Sequence, residues 1–276
     1  MAFEAAQALA AFIRQENPVC VLTGAGCSTG SGIFDYRDAQ GEWKRPQPVL
    51  LDDFLNSTTA RRRYWARSML GWPRFAAARP NVAHIGIAQL EQRGLVSSVI
   101  TQNVDDLHES AGQVNVIALH GSLRTATCID CATVFDRHIL QTQLELNNPR
   151  FLGAAVTPDA GGESFYQIDI DETFQVPDCA QCGGVLKPDV VFFGGNLRHD
   201  VKANANSAVT NAQSLLVIGS SLMVYSSFRL VKLAHQLGKP IAILGLGVTR
   251  GDSLAEHVLR AEVATTFEEL MSYLQF

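Results

Sequence analysis

Four cysteines fall in two Cys-x-x-Cys pairs, Cys128 with Cys131 and Cys179 with Cys182, and 47 residues separate the pairs. Each pair is shaped as one knuckle of a metal site. Two knuckles together make the closed tetrahedral set of thiolates that structural zinc prefers. A full thiolate set leaves no open position for a substrate, so the chemistry it offers is that of a fold holder. Buried, unligated thiols are the alternative. The insert between the pairs is too long for a simple finger. Cys20 and Cys27 are left over, a pattern that suits a reducing compartment better than a disulfide framework.

Upstream lies Gly24-Ala25-Gly26-Cys27-Ser28-Thr29-Gly30-Ser31-Gly32. Glycines at this spacing let backbone amides approach a pyrophosphate, and a following helix N-terminus favours its charge. The spacing is not that of the dehydrogenase fingerprint, and no acidic residue closes a second strand about 20 residues on. A plain strand–helix turn fits the loop as well. Thr101-Gln102-Asn103-Val104-Asp105-Asp106-Leu107-His108 follows a strand-like run, at the end where open α/β sheets bind ligands. Its amides and carboxylates suit a ribose hydroxyl and a carboxamide; an Asx-rich turn capping a helix also accounts for them. Leu119-His120-Gly121 ends another such run. A histidine there is placed for proton transfer near neutrality, or is a hydrogen-bonded structural residue. The other six histidines have no better context. Lys187–Gly195 reads as a strand leaving the cysteine region and ending in a glycine pair. Gly219-Ser220-Ser221-Leu222 is a small-residue turn suited to phosphate or ribose.

The elements that must position these residues are legible as periodicities. Residues 3–15 put Ala5, Ala8, Leu9, Phe12 and Ile13 on one helical face. Val19–Leu22, Val96–Ile100, Val114–Leu119, Leu215–Ile218 and Ile241–Leu244 read as buried parallel strands. Helical patterns at 82–93, 226–237 and 266–274 alternate with them, the last with a capping box from Thr266 and Glu269. This alternation predicts a Rossmann-like, doubly wound α/β sheet. Two insertions interrupt it. Residues 42–80 carry all three tryptophans and eight Lys/Arg against three Asp/Glu, and read as a helical module. Residues 123–186 carry both cysteine pairs. The expected domains are 1–41, 81–122 and 187–276 for nucleotide binding, 42–80 for the helical module and 123–186 for zinc.

With 276 residues and 47% apolar content, the chain is long enough for a large core plus a satellite. A net charge of −5 does not favour a nucleic-acid partner. No apolar run approaches the ~20 residues that span a bilayer. The N-terminal residues lack the pattern of a secretory signal or an Arg-rich transit peptide.

Taken together these residues resemble the sirtuins, NAD-dependent protein-lysine deacylases. The matching landmarks are Gly24-Ala25-Gly26, Ser31-Gly32-Ile33, Asp35-Tyr36-Arg37, Thr101–Asp105, His120-Gly121, the four cysteines, Lys187–Gly194 and Gly219-Ser220-Ser221, in family order. Arg63-Tyr64-Trp65-Ala66-Arg67, Gly71-Trp72-Pro73, Phe174-Gln175-Val176-Pro177 and Ala242-Ile243-Leu244 with Thr249-Arg250 look like the class II branch, which includes the fourth human sirtuin; a bacterial relative is expected. Three positions depart from the family. Phe34 stands for a proline, Gly195 for an acidic residue, and Gly245 for an asparagine that contacts the adenosine ribose, a loss on the order of 1 kcal/mol.

The resemblance implies NAD and one structural zinc per chain, and a Rossmann-like domain with a small domain of zinc and helical modules around a cleft. It assigns Gly24, Ala25 and Gly26, with Gly219, Ser220 and Ser221, to the pyrophosphate side. It assigns Gln102 to the nicotinamide ribose; Ile33, Asn103 and Asp105 to the carboxamide; Arg37 to the cofactor loop; and Gly245 to the adenosine end. Val190, Phe192, Phe193 and Gly194, with Val224 and Tyr225, would flank an acyl-lysine peptide added as a strand. The acyl oxygen attacks C1′ as nicotinamide leaves, and His120 serves as base on the ribose hydroxyls. Protein mono-ADP-ribosylation at the same NAD site is the alternative, ahead of a non-catalytic NAD-binding module or a nicotinamide dehydrogenase. Arg61, Arg62, Arg63 and Arg67 form either a solvated basic face or a reader of acidic acyl chains. A monomer without nucleic-acid or membrane partners is expected, cytoplasmic in a bacterium or in the mitochondrial matrix of a eukaryote.

Overall fold

Every residue of Val19–Thr23 is buried, which a strand achieves only when both faces of its sheet are covered. The computed structural model describes residues 2–35, 48–152, 157–158, 164–165 and 172–274. In chain order the elements are α1 (Ala2–Gln15), β1 (Val19–Thr23), α2 (Leu51–Asn56), α3 (Thr58–Ala77), α4 (Val82–Gln92), β2 (Val96–Thr101), α5 (Leu107–Ser110), β3 (Val116–Ala118), β4 (Gly121–Cys128), β5 (Val134–Asp136), α6 (Arg137–Asn147), β6 (Thr157–Pro158), β7 (Ser164–Phe165), β8 (Leu186–Val190), α7 (His199–Asn211), β9 (Ser214–Ile218), α8 (Tyr225–Gln236), β10 (Ile241–Leu244), β11 (His257–Leu259) and α9 (Val263–Tyr273). They group into two units. The first comprises Met1–Pro46, Ala78–His120 and Leu197–Phe276; the second comprises Gln47–Ala77 and Gly121–Asn196.

The first unit is a six-stranded parallel sheet in the order β11-β10-β9-β1-β2-β3. Strand periodicity splits its apolar residues between two cores. Val19, Val21, Leu216, Ile218, Ala242 and Leu244 join residues of α1, α4 and α9 on one face. Cys20, Leu22, Leu215, Val217, Ile241 and Ile243 join α7 and α8 on the other. Truncating one large side chain of these layers, such as Phe267, costs about 3–5 kcal/mol. From β1 the chain adds β2 and β3 on one side, then β9, β10 and β11 on the other. The order therefore reverses between β1 and β9, and in register Thr23 lies beside Ile218. The loops that begin at Gly24 and Gly219 leave side by side at this switch point, where open sheets bind ligands.

The second unit joins the two insertions around one core. Phe54, Trp65, Ala66 and Met69 of α2 and α3 pack with Ala126, Cys128, Leu140, Leu144, Phe174, Leu186 and Phe192. Its sheet is antiparallel, in the order β5-β4-β8. Arg137 is fully buried at the start of α6, its guanidinium 4.5 Å from the Trp72 ring and bonded to Gln141 and Ser68. It thereby ties α6 to α3.

Three expectations differ from what forms. Val114 is 81% exposed, and the amides of Val114 and Asn115 donate to the Glu91 carboxylate, so the strand starts only at Val116. α9 begins at Val263, not 266. Glu262 caps it by accepting from the amides of Ala264 and Thr265, and the Thr266 hydroxyl turns back to the Glu262 carbonyl. Residues 187–190 do not open the last nucleotide-binding segment; they pair with β4 and cluster with the second unit.

Candidate active site

At the switch point three glycines pack backbone against backbone. Gly24 donates to the Ile218 carbonyl at 3.0 Å and Gly26 to the Gly219 carbonyl at 2.8 Å. Gly219 has φ +61, and a Cβ on it would lie 2.4 Å from the Cys27 nitrogen. A Cβ on Gly26 would lie 2.9 Å from Gly219. These glycines are needed for close approach. Two of their amides are spent on the neighbouring strand end and loop, so Gly24 and Gly26 shape the loop more than they donate from it. The Gln102 side chain spans the point, donating to Ser220 Oγ at 2.7 Å and to the Thr23 carbonyl at 3.2 Å. Ser220 Oγ also accepts from the Leu222 amide, and the Ser221 carbonyl from the Arg250 amide.

Ser28 is the hub of the next layer. Its hydroxyl donates to Asp105 at 2.7 Å and accepts from the Asn103 amide at 2.9 Å; that amide also reaches the Gly24 carbonyl at 3.1 Å. Burial raises the pKa of Asp105, while the Leu107 amide and the Ser28 hydroxyl oppose the rise. Behind Ser28 stand two fully buried histidines, His84 and His108, with ring centroids 4.8 Å apart. His84 Nδ1 accepts from the Asn81 amide, so the hydrogen is on Nε2, 3.4 Å from Ser28 Oγ. Thr23 Oγ1 donates to Thr101, so His108 Nε2 donates to Thr23 at 3.0 Å. Burial pushes His84 down to about 4 and His108 to about 3, so both are neutral at physiological pH. Cys27, His84 and His108 offer ligand atoms within 4.8 Å of one another. Both His84 nitrogens are already engaged, so the trio acts as a hydrogen-bonded scaffold. Ile33 is half-buried, its amide 3.3 Å from the Ser28 carbonyl. Arg37 lies outside the described residues.

His120 follows β3. Its Nδ1 lies 3.0 Å from the Gln102 carbonyl, which can only accept, so Nδ1 carries the hydrogen and Nε2 the lone pair. Burial lowers its pKa, with the Gln102 bond opposing, and the ring is a neutral base. Gly121 has φ +81, and a Cβ there would sit 2.0 Å from the Asp189 carbonyl oxygen. Only glycine lets β8 run beside the residue after His120. Val190 ends β8, half-buried. Phe192 is buried against Phe54 and Tyr64, so its ring is core. Phe193 is 39% exposed, and its carbonyl accepts from the Leu51 amide. Gly194 has φ +81, in a turn closed by the Gly195 amide on the Phe192 carbonyl. Val224 is the N-cap of α8 and Tyr225 its exposed first residue. Gly245 follows β10, and a Cβ on it would make ordinary contact with the Gly219 backbone at 3.8 Å.

In the second unit, Cys128 Sγ lies 3.5 Å from Cys182 Sγ and Cys131 Sγ 3.6 Å from Cys179 Sγ, with all four sulfurs within 4.8 Å. Tetrahedral zinc thiolates require S···S of about 3.8 Å. All four are free thiols, so the set fits zinc. Each knuckle is closed by an amide four residues on, Ala132 to the Cys128 carbonyl and Gly183 to the Cys179 carbonyl. Sequence reasoning missed Ser28, His84 and His108. The only signal for Ser28 and His84 was polarity inside a glycine-rich loop and an otherwise apolar helical run; His108, beside Asp105, Asp106, Glu109 and Ser110, carries none.

A parallel, doubly wound sheet with glycine-closed loops and an amide–carboxylate network at its switch point defines a dinucleotide-site protein. The sequence pattern described as the Sir2 family matches residues 24–226, and the chain belongs to that family. It is 47% identical over 270 residues to an NAD-dependent protein deacetylase of Xanthomonas campestris, covering 97% of this chain and 90% of the relative. It is 48% identical over 248 residues to NAD-dependent protein deacetylase 2 of Bradyrhizobium diazoefficiens, covering 90% and 91%. Among solved structures, a Sir2 protein with a p53 peptide and NAD+ matches with TM-score 0.79 and 28% identity over 98% of both chains. A Sir2 variant with deacetylated p53 peptide and 3′-O-acetyl ADP ribose matches with TM-score 0.78 and 28% identity over 97% of both.

Proposed function

We propose that this chain is an NAD-dependent protein-lysine deacylase: acyl-lysine, NAD and water give lysine, nicotinamide and O-acyl-ADP-ribose. The observation that carries the reading is His120, a neutral base with its lone pair on Nε2, held by the same Gln102 whose side chain bridges the switch-point loops. NAD, as co-substrate, supplies an electrophilic ribose carbon and a leaving group that is already cationic. The protein therefore needs orientation and one base rather than a strong nucleophile. Gly24, Ala25, Gly26, Gly219, Ser220 and Ser221 would hold the pyrophosphate, and Gln102 the nicotinamide ribose. Asn103 and Asp105 with Ile33 would hold the carboxamide, Gly245 would lie at the adenosine end, and Arg37 on the cofactor loop. His120 Nε2 takes the proton of a ribose hydroxyl as that oxygen turns on the acyl carbon. Val190, Phe192, Phe193, Gly194, Val224 and Tyr225 would offer backbone to the acyl-lysine peptide.

The class II assignment rests on Arg63–Arg67, Gly71–Pro73 and Phe174–Pro177. Trp65, Trp72 and Phe174 of those segments are buried. The bacterial relatives support a cytoplasmic enzyme, and a monomer is proposed from the sequence reading alone. The nucleotide-binding domain is proposed for the first unit, and the zinc and helical modules for the second. Mass spectrometry of NAD reactions with acetyl-, longer aliphatic, dicarboxylic and lipoyl-lysine peptides tests the activity. O-acyl-ADP-ribose with free lysine is expected. Adenylate label retained on protein, with every peptide intact, would overturn it in favour of ADP-ribosyl transfer. His120→Ala is expected to lower turnover by roughly 10²–10⁴-fold without loss of fold; a folded variant with near-wild-type turnover would remove His120 from the role.

A further inference from the structure

The lone pair of His120 already has a partner. Ser226 Oγ lies 2.9 Å from Nε2. Because Nδ1 must donate to the Gln102 carbonyl, Nε2 of the neutral ring can only accept, and Ser226 is the donor. The imidazole is thus gripped at both nitrogens, by a backbone carbonyl on one side and a hydroxyl on the other. Ser226 is the second residue of α8. Its neighbour Ser227 is fully buried and donates to the Val224 carbonyl at 2.9 Å, a bond internal to the helix start. Of two consecutive serines, one is committed to the backbone and the other to the histidine.

A hydroxyl can serve both protonation states of this base. It donates to Nε2 while the ring is neutral. When Nε2 gains a proton, rotation about Cβ–Oγ presents the oxygen as acceptor to the new N–H. The bond to the imidazolium is charge-assisted and about twice as strong as the neutral one. It therefore stabilises the form that burial disfavours.

We propose that Ser226 is the positioning residue of the base: it aims the Nε2 lone pair of His120 and accepts from the imidazolium once a ribose hydroxyl has given up its proton. The inference rests on the deacylase reading for its catalytic consequence, and on geometry alone for the hydrogen bond. The proton balance is closed. The ribose O–H breaks as Nε2–H forms, the oxygen's electron pair goes to the acyl carbon, and Ser226 keeps its own proton, turned away from the ring. Departure of nicotinamide involves no transfer to His120, so Ser226 acts only after it.

The test compares the full chain with Ser226→Ala and Ser226→Thr. First, 15N-correlated NMR of the ligand-free proteins reads the ring nitrogens of His120, assigned by their loss in His120→Gln. Wild type and Ser226→Thr are expected to show one tautomer, hydrogen on Nδ1 and a hydrogen-bonded Nε2. In Ser226→Ala the Nε2 resonance moves to its unbonded position. Second, labelled nicotinamide exchange into NAD is measured beside release of free lysine from an acetyl-lysine peptide. Ser226→Ala is expected to lower lysine release roughly tenfold or more while exchange and the NAD KM hold within about twofold; threonine restores release. An unmoved Nε2 resonance overturns the proposal, as does equal loss of exchange and release, or no loss of either. If wild type neither exchanges nor releases lysine, the deacylase reading fails, and the NMR comparison still decides whether Ser226 holds the base.

Discussion

The switch-point loops of the first unit and the second cysteine knuckle, Cys179–Gly183, are both turns closed by glycine, yet different forces hold them. Around Gly219 the turn is locked by the protein itself. Apolar layers lie on both faces of the sheet, backbones meet without room for a Cβ, and Ser28, Asn103, Asp105 and two neutral histidines interlock. A methyl group added at Gly183 would meet nothing within 4 Å, and two of the four cysteines are exposed. Where packing supplies the order, a site can be set before any ligand arrives. Where it does not, the ligand is part of the fold.

Zinc removal should separate the two regions most widely. We expect one zinc per chain by elemental analysis. Chelation, or Cys128→Ser or Cys179→Ser, should cost the second unit on the order of several kcal/mol or more. Hydrogen exchange would then rise sharply in β4 and β8 while β1 and β9 stay protected. A metal-free protein with unchanged protection in β4 would break the comparison.

A matched pair of substitutions sharpens it. Gly219 and Gly183 both have left-handed φ, +61 and +75. Gly219→Ala adds a clash with the Cys27 nitrogen to the backbone strain and should cost roughly 3 kcal/mol or more. Gly183→Ala carries the strain alone, about 1 kcal/mol. Urea midpoints at equal m-values measure both; equal losses would show that the switch-point turn relaxes as freely as the knuckle.

Acid should act on the first region. His84 and His108 titrate near 4 and 3 when folded but near 6.5 when unfolded. The unfolded chain binds their protons first, so stability is full above about pH 6.5 and falls as pH drops toward 4 and 3, by a few kcal/mol in all. Asp105, its pKa raised by burial, works the other way and gains stability as pH falls. His84→Gln should flatten the pH dependence of the melting temperature between about pH 6.5 and 4; an unchanged slope would place the acid sensitivity elsewhere.

How much of this was legible beforehand follows the range of the interactions. The parallel strands showed as continuous apolar runs because both faces are buried, and the cysteine pairs because ligation dictates local spacing. His120 stood out at a strand end. The pairing of β8 with β4 did not, because an antiparallel partner some 60 residues away leaves no local trace. The start of α9 was misplaced because two acidic residues, Glu262 and Glu269, compete as cap partners, and only the structure shows which carboxylate the free amides reach. Ser226, His84 and His108 carry roles set entirely by what faces them across the fold, and a polar residue in a helix says nothing of its partner.

The smallest expected effect lies at the edge of the pre-set region. Gly245 follows β10, its amide donating to the Leu259 carbonyl, and a Cβ built on it meets only Gly219, at 3.8 Å. Unlike Gly219, it has no left-handed φ and no close neighbour, so neither strain nor packing demands glycine there. Gly245→Asn should therefore leave the ligand-free melting temperature unchanged within about a degree, since it adds no clash. If the loop after β10 faces the adenosine ribose, the new amide gains one hydrogen bond, about 1 kcal/mol, or roughly fivefold tighter NAD binding by calorimetry. Unaltered affinity with intact stability would show that the adenosine end is held by other residues, and that the loop at Gly245 is not part of the NAD site.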